Sequence, residues 1–391
     1  MNPFSSHNLS LQADDSDAIY ADANEPSQAR RFPADPDGQR VSPAAGICGR
    51  HPSIGGHPSR ASRPRRASGH LHSRSGGIPI AAIIQTRDLT REYPQRKALD
   101  GVTLDVAEGE SVCLLGPNGS GKTTLFKILA TLLAPTSGTA TVCGHDVVRE
   151  SPAVRAKLGV VFQAPSLDPK LRAGENLKYG GALYGLGGTE LRTRIAAAAK
   201  SLGIEDRLGD AVEKLSGGLR RRVEIAKCLL SRPRVLLLDE PSTGIDPSAR
   251  AEMWTALSRL REETGVTLLF TSHLLDEADR ADAVAILSEG KLVAQGTASA
   301  LRSEIPGQIL TIESGSAGAL LPKIRENFTS EATLQDGVIR MASTIGYELA
   351  AKIAQAYPSE VVSTTVGSPT LADVFFARTG SRFVTEDFSA E

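Results

Sequence analysis

The stretch that most constrains the fold of this chain is Gly116-Pro117-Asn118-Gly119-Ser120-Gly121-Lys122-Thr123-Thr124. The apolar run 111–115 that precedes it is typical of a buried strand, and the apolar spacing of residues 125–130 favours a helix packed on a sheet. Strand, glycine-rich loop and helix, in this order, are the context in which the pattern G-x-x-x-x-G-K-[ST] binds phosphate. The sequence therefore predicts an α/β fold with an anion site at this loop.

The chemistry of the loop suits a nucleotide and its magnesium ion. Its glycines let backbone N–H groups curl around an oxyanion, and the start of the helix adds the positive end of its dipole. Lys122 can reach the β- and γ-phosphates, and the Thr123 hydroxyl can ligate Mg²⁺. The alternative is an ordinary glycine-rich turn between a strand and a helix, so the rest of the chain has to decide.

Composition excludes several classes of protein. The 391 residues carry a net charge of −1, which gives no electrostatic footprint for nucleic acid, and we expect no nucleic-acid partner. The apolar runs are all shorter than the roughly 20 residues of a membrane-spanning helix. Any membrane role would therefore be performed from the surface, through partner chains. The cysteines show neither metal spacing nor a disulfide framework, which fits a reducing cytoplasm.

Residues 1–80 differ from the rest of the chain. They are rich in Ser, Pro, Gly and Ala, and then in Arg and His, with hardly any periodic apolar pattern. Such a segment cannot bury enough apolar surface to offset its ordering entropy, so we predict a disordered leader. A tether to anionic lipid or nucleic acid through its Arg- and His-rich half is the less favoured interpretation.

Three predicted strands beyond the loop end at polar residues. The strand 158–163 ends at Gln163, the apolar run 235–238 ends at Asp239 and Glu240, and the strand 266–271 is followed by Ser272 and His273. Open α/β sheets place their sites at the carboxyl ends of strands, so these side chains are candidates for one site. Asp239 is suited to hold Mg²⁺, and Glu240 to orient or polarise an attacking water.

Three further positions are weaker candidates. Ser216, Gly217 and Gly218 precede a predicted helix and form a second place where backbone N–H groups could meet an anion. Asp246 is predicted to cap a helix that starts at Pro247. Tyr93 could stack on a nucleotide base or be a partly buried surface tyrosine, and its position alone leaves both open.

Helical patterns predict a helical subdomain at about 164–230, inside a domain of residues 81–300. Residues 301–391 change character. They indicate a strand at 308–313, a hairpin that turns at Asp336 and Gly337, and helices at 318–328 and 347–356. We interpret them as a small C-terminal α+β domain.

Taken in order, these motifs resemble those of the nucleotide-binding subunit of an ABC transporter, over residues of about 83–300. The matching positions are the Walker A loop 116–123, the Q-loop residue Gln163, the signature 215–218, Walker B at 235–240, the D-loop 244–246 and the switch histidine His273. Tyr93 falls where the adenine-stacking aromatic of the family sits. The implied fold is a P-loop NTPase cassette, with a mixed β core and a helical subdomain.

Within the family the chain is most similar to subunits of ABC-2 type exporters, the daunorubicin/doxorubicin-resistance group. The resemblance rests on the basic run 220–222, the turn 242–247 and the closing stretch 370–380. Leu219 departs from the usual glutamine of the signature. The group tolerates an apolar residue there, so we do not interpret Leu219 as a sign of inactivity.

The resemblance implies an ATPase that uses ATP and Mg²⁺. The implied catalytic residues are Glu240, His273, Lys122 and Gln163; the implied metal residues are Thr123, Gln163 and Asp239. The nucleotide is expected to contact Tyr93, residues 116–124, Ser216, Gly217, Gly218 and Asp246.

The expected partners are a second copy, arranged head to tail, and an ABC-2 type membrane permease. The chain would then lie peripherally on the cytoplasmic face of the cell membrane and drive efflux of a drug, antibiotic or lipid-like substrate. An ABC ATPase of translation or DNA repair is less favoured, because there is one Walker A loop and there are no sustained heptads before the signature. The presence of Glu240 and His273 argues against a regulator without turnover.

Overall fold

The computed structural model describes residues 82–383. The predicted disordered leader, residues 1–80, lies outside the described residues. The strands are β1 (Ala82–Tyr93), β2 (Arg96–Ala107), β3 (Ser111–Leu115), β4 (Ser137–Val142), β5 (His145–Asp146), β6 (Leu158–Val161), β7 (Val235–Leu238), β8 (Thr267–Ser272), β9 (Ala283–Ser288), β10 (Lys291–Gly296), β11 (Gln308–Ser314), β12 (Thr333–Gln335), β13 (Val338–Ser343) and β14 (Val361–Gly367). The helices are α1 (Lys122–Leu129), α2 (Ser151–Arg155), α3 (Ala173–Leu183), α4 (Gly188–Leu202), α5 (Gly217–Leu229), α6 (Pro247–Thr264), α7 (Leu275–Ala278), α8 (Ala298–Arg302), α9 (Ala317–Asn327), α10 (Gly346–Ala356) and α11 (Leu371–Thr379).

A six-stranded sheet in the order β10-β9-β3-β8-β7-β6 forms the centre of the cassette. Strands β3, β7 and β8 are buried along their whole length, as continuous apolar runs of parallel sheets are. All pairs from β9 to β6 are parallel, and only the edge strand β10 is antiparallel. The carboxyl ends of β3, β8, β7 and β6 are therefore neighbours at one edge of the sheet.

Each face of this sheet is covered by a different layer. On one face, α1 buries Leu125, Phe126 and Leu129 in a cluster shared with the antiparallel sheet β2-β1-β4-β5. On the other face, α3, α4, α5 and α6 pack in a second cluster that includes Trp254 and Phe270. The helix predicted to start at Pro247 is confirmed, with Asp246 as its cap. This arrangement holds the loop before α1 against the edge of the central sheet.

The strand predicted to reach Gln163 ends earlier, at Val161. The carbonyl oxygens of Phe162 and Gln163 accept hydrogen bonds from the Arg221 guanidinium instead of from a neighbouring strand. Since β6 is the edge strand of the sheet, no further strand of the described chain competes for these groups. The predicted end of the strand was wrong. The observed end depends on Arg221, which lies about sixty positions later in the sequence.

The C-terminal residues form a second sheet, β12-β13-β11-β14, with its own apolar cluster beneath α9 and α10. The hairpin predicted at Asp336 and Gly337 is confirmed, and both residues have the positive φ that a tight primed turn requires. Helix α11 then returns to the cassette, where it packs against α8 and β10 and buries Leu371 and Phe375 in the same apolar cluster as Trp254. The domain boundary near residue 300 stays a prediction. Within residues 82–383, every helix is too short or too polar to cross a bilayer.

Candidate functional site

The loop between β3 and α1 requires glycine at two positions. A Cβ at Gly116 would lie 2.4 Å from the Leu287 carbonyl oxygen, and a Cβ at Gly121 would lie 2.4 Å from that of Ala98. Gly121 also has a φ of 107°, which side chains other than hydrogen rarely adopt. The close packing on β9 and β2 therefore fixes the loop in a form that a chain without these glycines could not adopt.

Lys122 is folded back onto the loop that carries it. Its Nζ donates to the carbonyl oxygens of Gly116, at 2.7 Å, and of Pro117, at 3.0 Å. Burial lowers the pKa of the ammonium group, an effect that the nearby carboxylates of Glu240 and Asp239 oppose. Nζ lies 4.0 Å from Glu240 Oε1, so the cation of the loop and the acid after β7 face each other.

Asp239 lies at the end of β7, with its carboxylate held by hydroxyl groups. Thr271 Oγ1 donates to Asp239 Oδ1 at 2.7 Å, and Asp239 is only 2% exposed. Burial raises the pKa of this carboxyl group, and the hydrogen bonds from Thr271 and Thr123 lower it in part. A carboxylate beside a threonine hydroxyl is a donor set that suits Mg²⁺, which takes its other oxygens from phosphate and water.

Glu240 and His273 face each other across the ends of β7 and β8. The Thr243 hydroxyl donates to Glu240 Oε2 at 3.1 Å, and His273 Nδ1 lies 3.5 Å from the same oxygen. Nδ1 is buried and makes no hydrogen bond to any residue of the described chain. Glu240 has a φ of 44°, an uncommon conformation for a non-glycine residue that is frequent at functional sites.

The loop and the strand ends open onto one cavity of about 330 Å³. Its lining residues are Arg96, Asn118, Gly119, Gly121, Lys122, Thr123, Thr124, Gln163 and Glu240. The sheet thus brings the predicted loop, Gln163 and Glu240 together. A larger cavity of about 520 Å³ lies between α4 and α6, and none of the predicted site residues lines it.

Arg96 and Thr271 were not predicted from the sequence. Arg96 is the first residue of β2 and lines the cavity close to Gly119. Thr271 bridges both acids, because it donates to Asp239 and accepts the backbone N–H of Glu240 at 2.8 Å. The available signal was positional: each lies next to a motif, Arg96 three residues after the candidate aromatic and Thr271 two residues before the candidate histidine.

Tyr93 does not line this cavity. The residue is 38% exposed, and the Arg91 guanidinium lies 4.9 Å from the ring centroid. A cation over one face of the ring leaves the other face for stacking. The role of Tyr93 in binding a base stays a prediction.

Ser216, Gly217 and Asp246 are exposed on a different part of the surface, and Gly218 is buried beneath them. The Ser216 hydroxyl caps α5 by accepting the N–H of Leu219 at 3.3 Å, and Asp246 caps α6. None of these residues lines the cavity that holds Lys122. The side chain of Leu219 packs against the cluster beneath α5, so it contributes to the fold of the cassette.

We expect Thr271→Val to destabilise the fold, because it leaves the Glu240 N–H and one Asp239 oxygen without a buried partner. The free energy of unfolding should fall by about 1–3 kcal/mol, as for other unsatisfied buried groups. Urea unfolding measures it. Thr255→Val is the matched control, since its exposed hydroxyl donates only to a helix carbonyl. Equal effects of the two substitutions would show that the bridge adds nothing.

Comparison with known proteins identifies the type of cassette. Residues 99–243 match the ABC transporter family. The daunorubicin resistance ATP-binding protein DrrA3 of Streptomyces coeruleorubidus is 38% identical over 299 residues, which cover 74% of this chain and 93% of that protein. The linearmycin resistance ATP-binding protein LnrL of Bacillus subtilis is 33% identical over 292 residues, with 74% and 90% covered.

Solved structures share the fold. CbiO1 of Clostridium perfringens, part of an ABC transporter complex, superposes with a TM-score of 0.54 at 28% identity, covering 64% of this chain and 96% of that one. The ATP-binding cassette MJ0796, in a dimer bound to ADP and Pi, gives a TM-score of 0.50 at 28% identity over 55% and 98% of the two chains. The predicted α/β cassette is therefore confirmed.

Proposed function

This chain belongs to the ABC transporter ATP-binding proteins of the daunorubicin/doxorubicin-resistance group, and from that membership we propose that it powers an exporter through a separate permease. It is an ATPase with the ABC cassette fold. The observation that carries the proposal is the cavity in which Lys122, Thr123, Gln163 and Glu240 meet. Phosphate-binding and water-activating groups in one polar cavity are what ATP hydrolysis needs.

In this mechanism the loop between β3 and α1 binds the phosphates of ATP. Backbone N–H groups at the start of α1 point at the anion, and the helix dipole adds to their attraction. Lys122 exchanges its two carbonyl acceptors for β- and γ-phosphate oxygens, which are stronger partners because they are charged. Arg96, which also lines the cavity, adds a second positive charge.

Thr123 and Asp239 would hold Mg²⁺, together with Gln163 of the cavity wall. The ion, when bound, neutralises the charge that develops on the phosphate oxygens. The described residues contain no ready group of three acidic, His or Cys ligands. A Mg²⁺ that takes its remaining ligands from phosphates and water fits such a site.

Glu240 activates the attacking water. Thr243 fixes one carboxylate oxygen, and His273 lies beside the same oxygen at 3.5 Å. The carboxylate can accept a proton from water as the oxygen attacks phosphorus, while His273 contacts the γ-phosphate. The low exposure of both side chains excludes bulk solvent and strengthens these interactions.

A second copy completes each site. Ser216, Gly217 and Asp246 lie away from the cavity of their own chain. The start of α5, with Ser216 and Gly217, is suited to bind an anion, whereas Asp246 is a carboxylate that caps α6. Head-to-tail pairing places them on the ATP bound by the other copy. The related cassette MJ0796 is dimeric in its complex with ADP and Pi, which supports this arrangement.

An ABC-2 type permease is the proposed membrane partner, and α3 offers a surface for it. Tyr179 and Leu183 lie one turn apart on this helix and are 57% and 89% exposed. Exposed apolar side chains of this size mark interaction surfaces when they lie together. Peripheral attachment at the cytoplasmic face of the membrane follows from such docking. The resistance proteins named above support a drug, antibiotic or lipid-like cargo.

We expect Leu183→Asp to abolish co-purification with the permease while the ATPase rate of the isolated protein changes less than about twofold, because an exposed position is tolerant. The experiment co-expresses the chain with a candidate ABC-2 type permease and measures both quantities. Val362→Asp, at a 74% exposed position of β14, is the control and should co-purify normally. Normal recovery of the permease with Leu183→Asp would remove α3 from the interface.

A further inference from the structure

Side chains of helix α5 hydrogen-bond to the loop that follows β6. Arg221 Nη1 donates to the Phe162 oxygen at 2.8 Å, and Nη2 reaches the Gln163 oxygen at 3.4 Å. Glu224 Oε1 accepts the backbone N–H of Ser166 at 2.6 Å. Lys227 Nζ donates to the oxygen of the same Ser166, also at 2.6 Å. Residues 162–166 are thus bound to one face of α5 by three side chains, each three positions from the next.

Two of these side chains, Arg221 and Glu224, form a buried ion pair. Arg221 Nη1 and Glu224 Oε2 are 2.8 Å apart, and their side chains are only 9% and 6% exposed. A buried charge has no water to replace a lost partner, so separating either group from the loop is costly. Charge-assisted bonds of this kind also hold a defined geometry. The loop therefore has to follow any displacement of α5.

The same helix starts at the signature residues. Ser216 caps α5, and Arg221 lies five positions further along, a rise of about 7.5 Å along a helix. Gly218 packs on α6, where a Cβ would lie 2.6 Å from that of Ala249. In the proposed dimer, one rigid helix thus carries two contacts that serve different ATP molecules. Its start faces the nucleotide of the second copy, and its next turns hold Gln163 in the cavity of its own copy.

We propose that the Arg221–Glu224 pair couples the two ATP sites of the dimer. This inference rests on the proposed function, since it requires the head-to-tail dimer. When the ATP of the second copy closes on Ser216 and Gly217, α5 shifts, and the ion pair carries residues 162–166 with it. Gln163 then takes its working position only when the opposite site is filled. Arg221 and Glu224 are positioning residues, because they act through Gln163.

The test uses the full chain with both partners of the pair replaced, Arg221→Met with Glu224→Leu. Apolar replacements of similar volume avoid an unpaired buried charge. We expect the Hill coefficient for ATP hydrolysis to fall from a value between about 1.5 and 2, two being the limit for two sites, to about 1. ATP binding, followed with a fluorescent nucleotide, should change less than about twofold, because these residues do not line the cavity.

Arg222→Met is the matched control. Arg222 is the next residue of α5 and is also largely buried, but it pairs with Glu252 of α6 at 2.9 Å. It should keep the wild-type Hill coefficient. Lys227→Met removes only the bond to the Ser166 oxygen and leaves the ion pair in place. It therefore tests the attachment of residues 162–166 to α5 in a variant with little risk of unfolding. It should give an intermediate coefficient.

The outcomes distinguish a failure of the proposed coupling from a failure of the proposed function. An unchanged Hill coefficient in the double variant, an equal loss in Arg222→Met, or a wild-type coefficient of 1 would each overturn the coupling while ATPase activity and dimerisation stand. A wild-type protein that neither hydrolyses ATP nor dimerises with it would overturn the proposed function itself.

Discussion

Replacing Glu240 with glutamine is expected to reduce ATP turnover by about 10² to 10⁴-fold, the range that a positioned general base contributes. Glutamine has the same shape and can still accept the hydrogen bond from Thr243. It carries no charge, so it can neither take a proton from water nor polarise it. The measurement is the steady-state release of phosphate at saturating ATP.

ATP binding should survive this substitution. Removing a negative charge close to the γ-phosphate favours the anion, and Lys122 loses a competing partner at 4.0 Å. The variant should therefore form a stable dimer with ATP, visible as a doubled mass in light scattering. Glu263→Gln is the control, since this carboxylate lies half exposed on α6. If Glu240→Gln still hydrolysed ATP at a substantial rate, another group would have to be the base.

Local patterns predicted the part of the site that lies within single β-α units. The loop 116–124 and the acids Asp239 and Glu240 each follow a short apolar run that fixes a buried strand. The carboxyl end of a parallel strand then fixes the edge at which the next residues lie. That is why Lys122 and Glu240, more than a hundred positions apart, could be predicted from local patterns alone to lie at one edge of the sheet, and both line the same cavity.

Residues whose roles depend on tertiary pairing could not be predicted in this way. Thr271 bridges the two acids because β7 and β8 pair in the register that aligns Leu238 with Phe270. Strand β6 ends early because Arg221, on helix α5, donates to the Phe162 oxygen. In both cases the partner is chosen by the packing of two elements, and neither propensity nor spacing within one segment contains that information.

The same distinction applies to the fold. The central strands and the hairpin at Asp336 and Gly337 follow from apolar runs and turn residues, which are local signals. The return of α11 to the cassette is not local. It depends on Leu371 and Phe375 packing against α8 and β10, which precede the C-terminal sheet in the sequence.

Replacing Lys122 with methionine is expected to weaken ATP binding by about 30- to 150-fold, which corresponds to the loss of charge-assisted hydrogen bonds worth about 2–3 kcal/mol. Methionine fills a similar volume but offers no donor to the phosphates. Equilibrium titration with a fluorescent ATP analogue measures the change. Lys127→Met is the matched control, because Lys127 lies on the exposed face of the same helix and should leave the affinity within about twofold.

Stability gives an independent readout for the same substitution. Burial lowers the pKa of Lys122, so its charged form is disfavoured in the folded protein and costs free energy of folding at neutral pH. Methionine removes this cost along with the bonds to Gly116 and Pro117. Without nucleotide, the melting temperature of Lys122→Met should therefore equal or exceed that of the wild type, and adding ATP should raise it far less. A large drop in melting temperature without nucleotide would mean that Lys122 supports the fold of the loop more than it serves the phosphates.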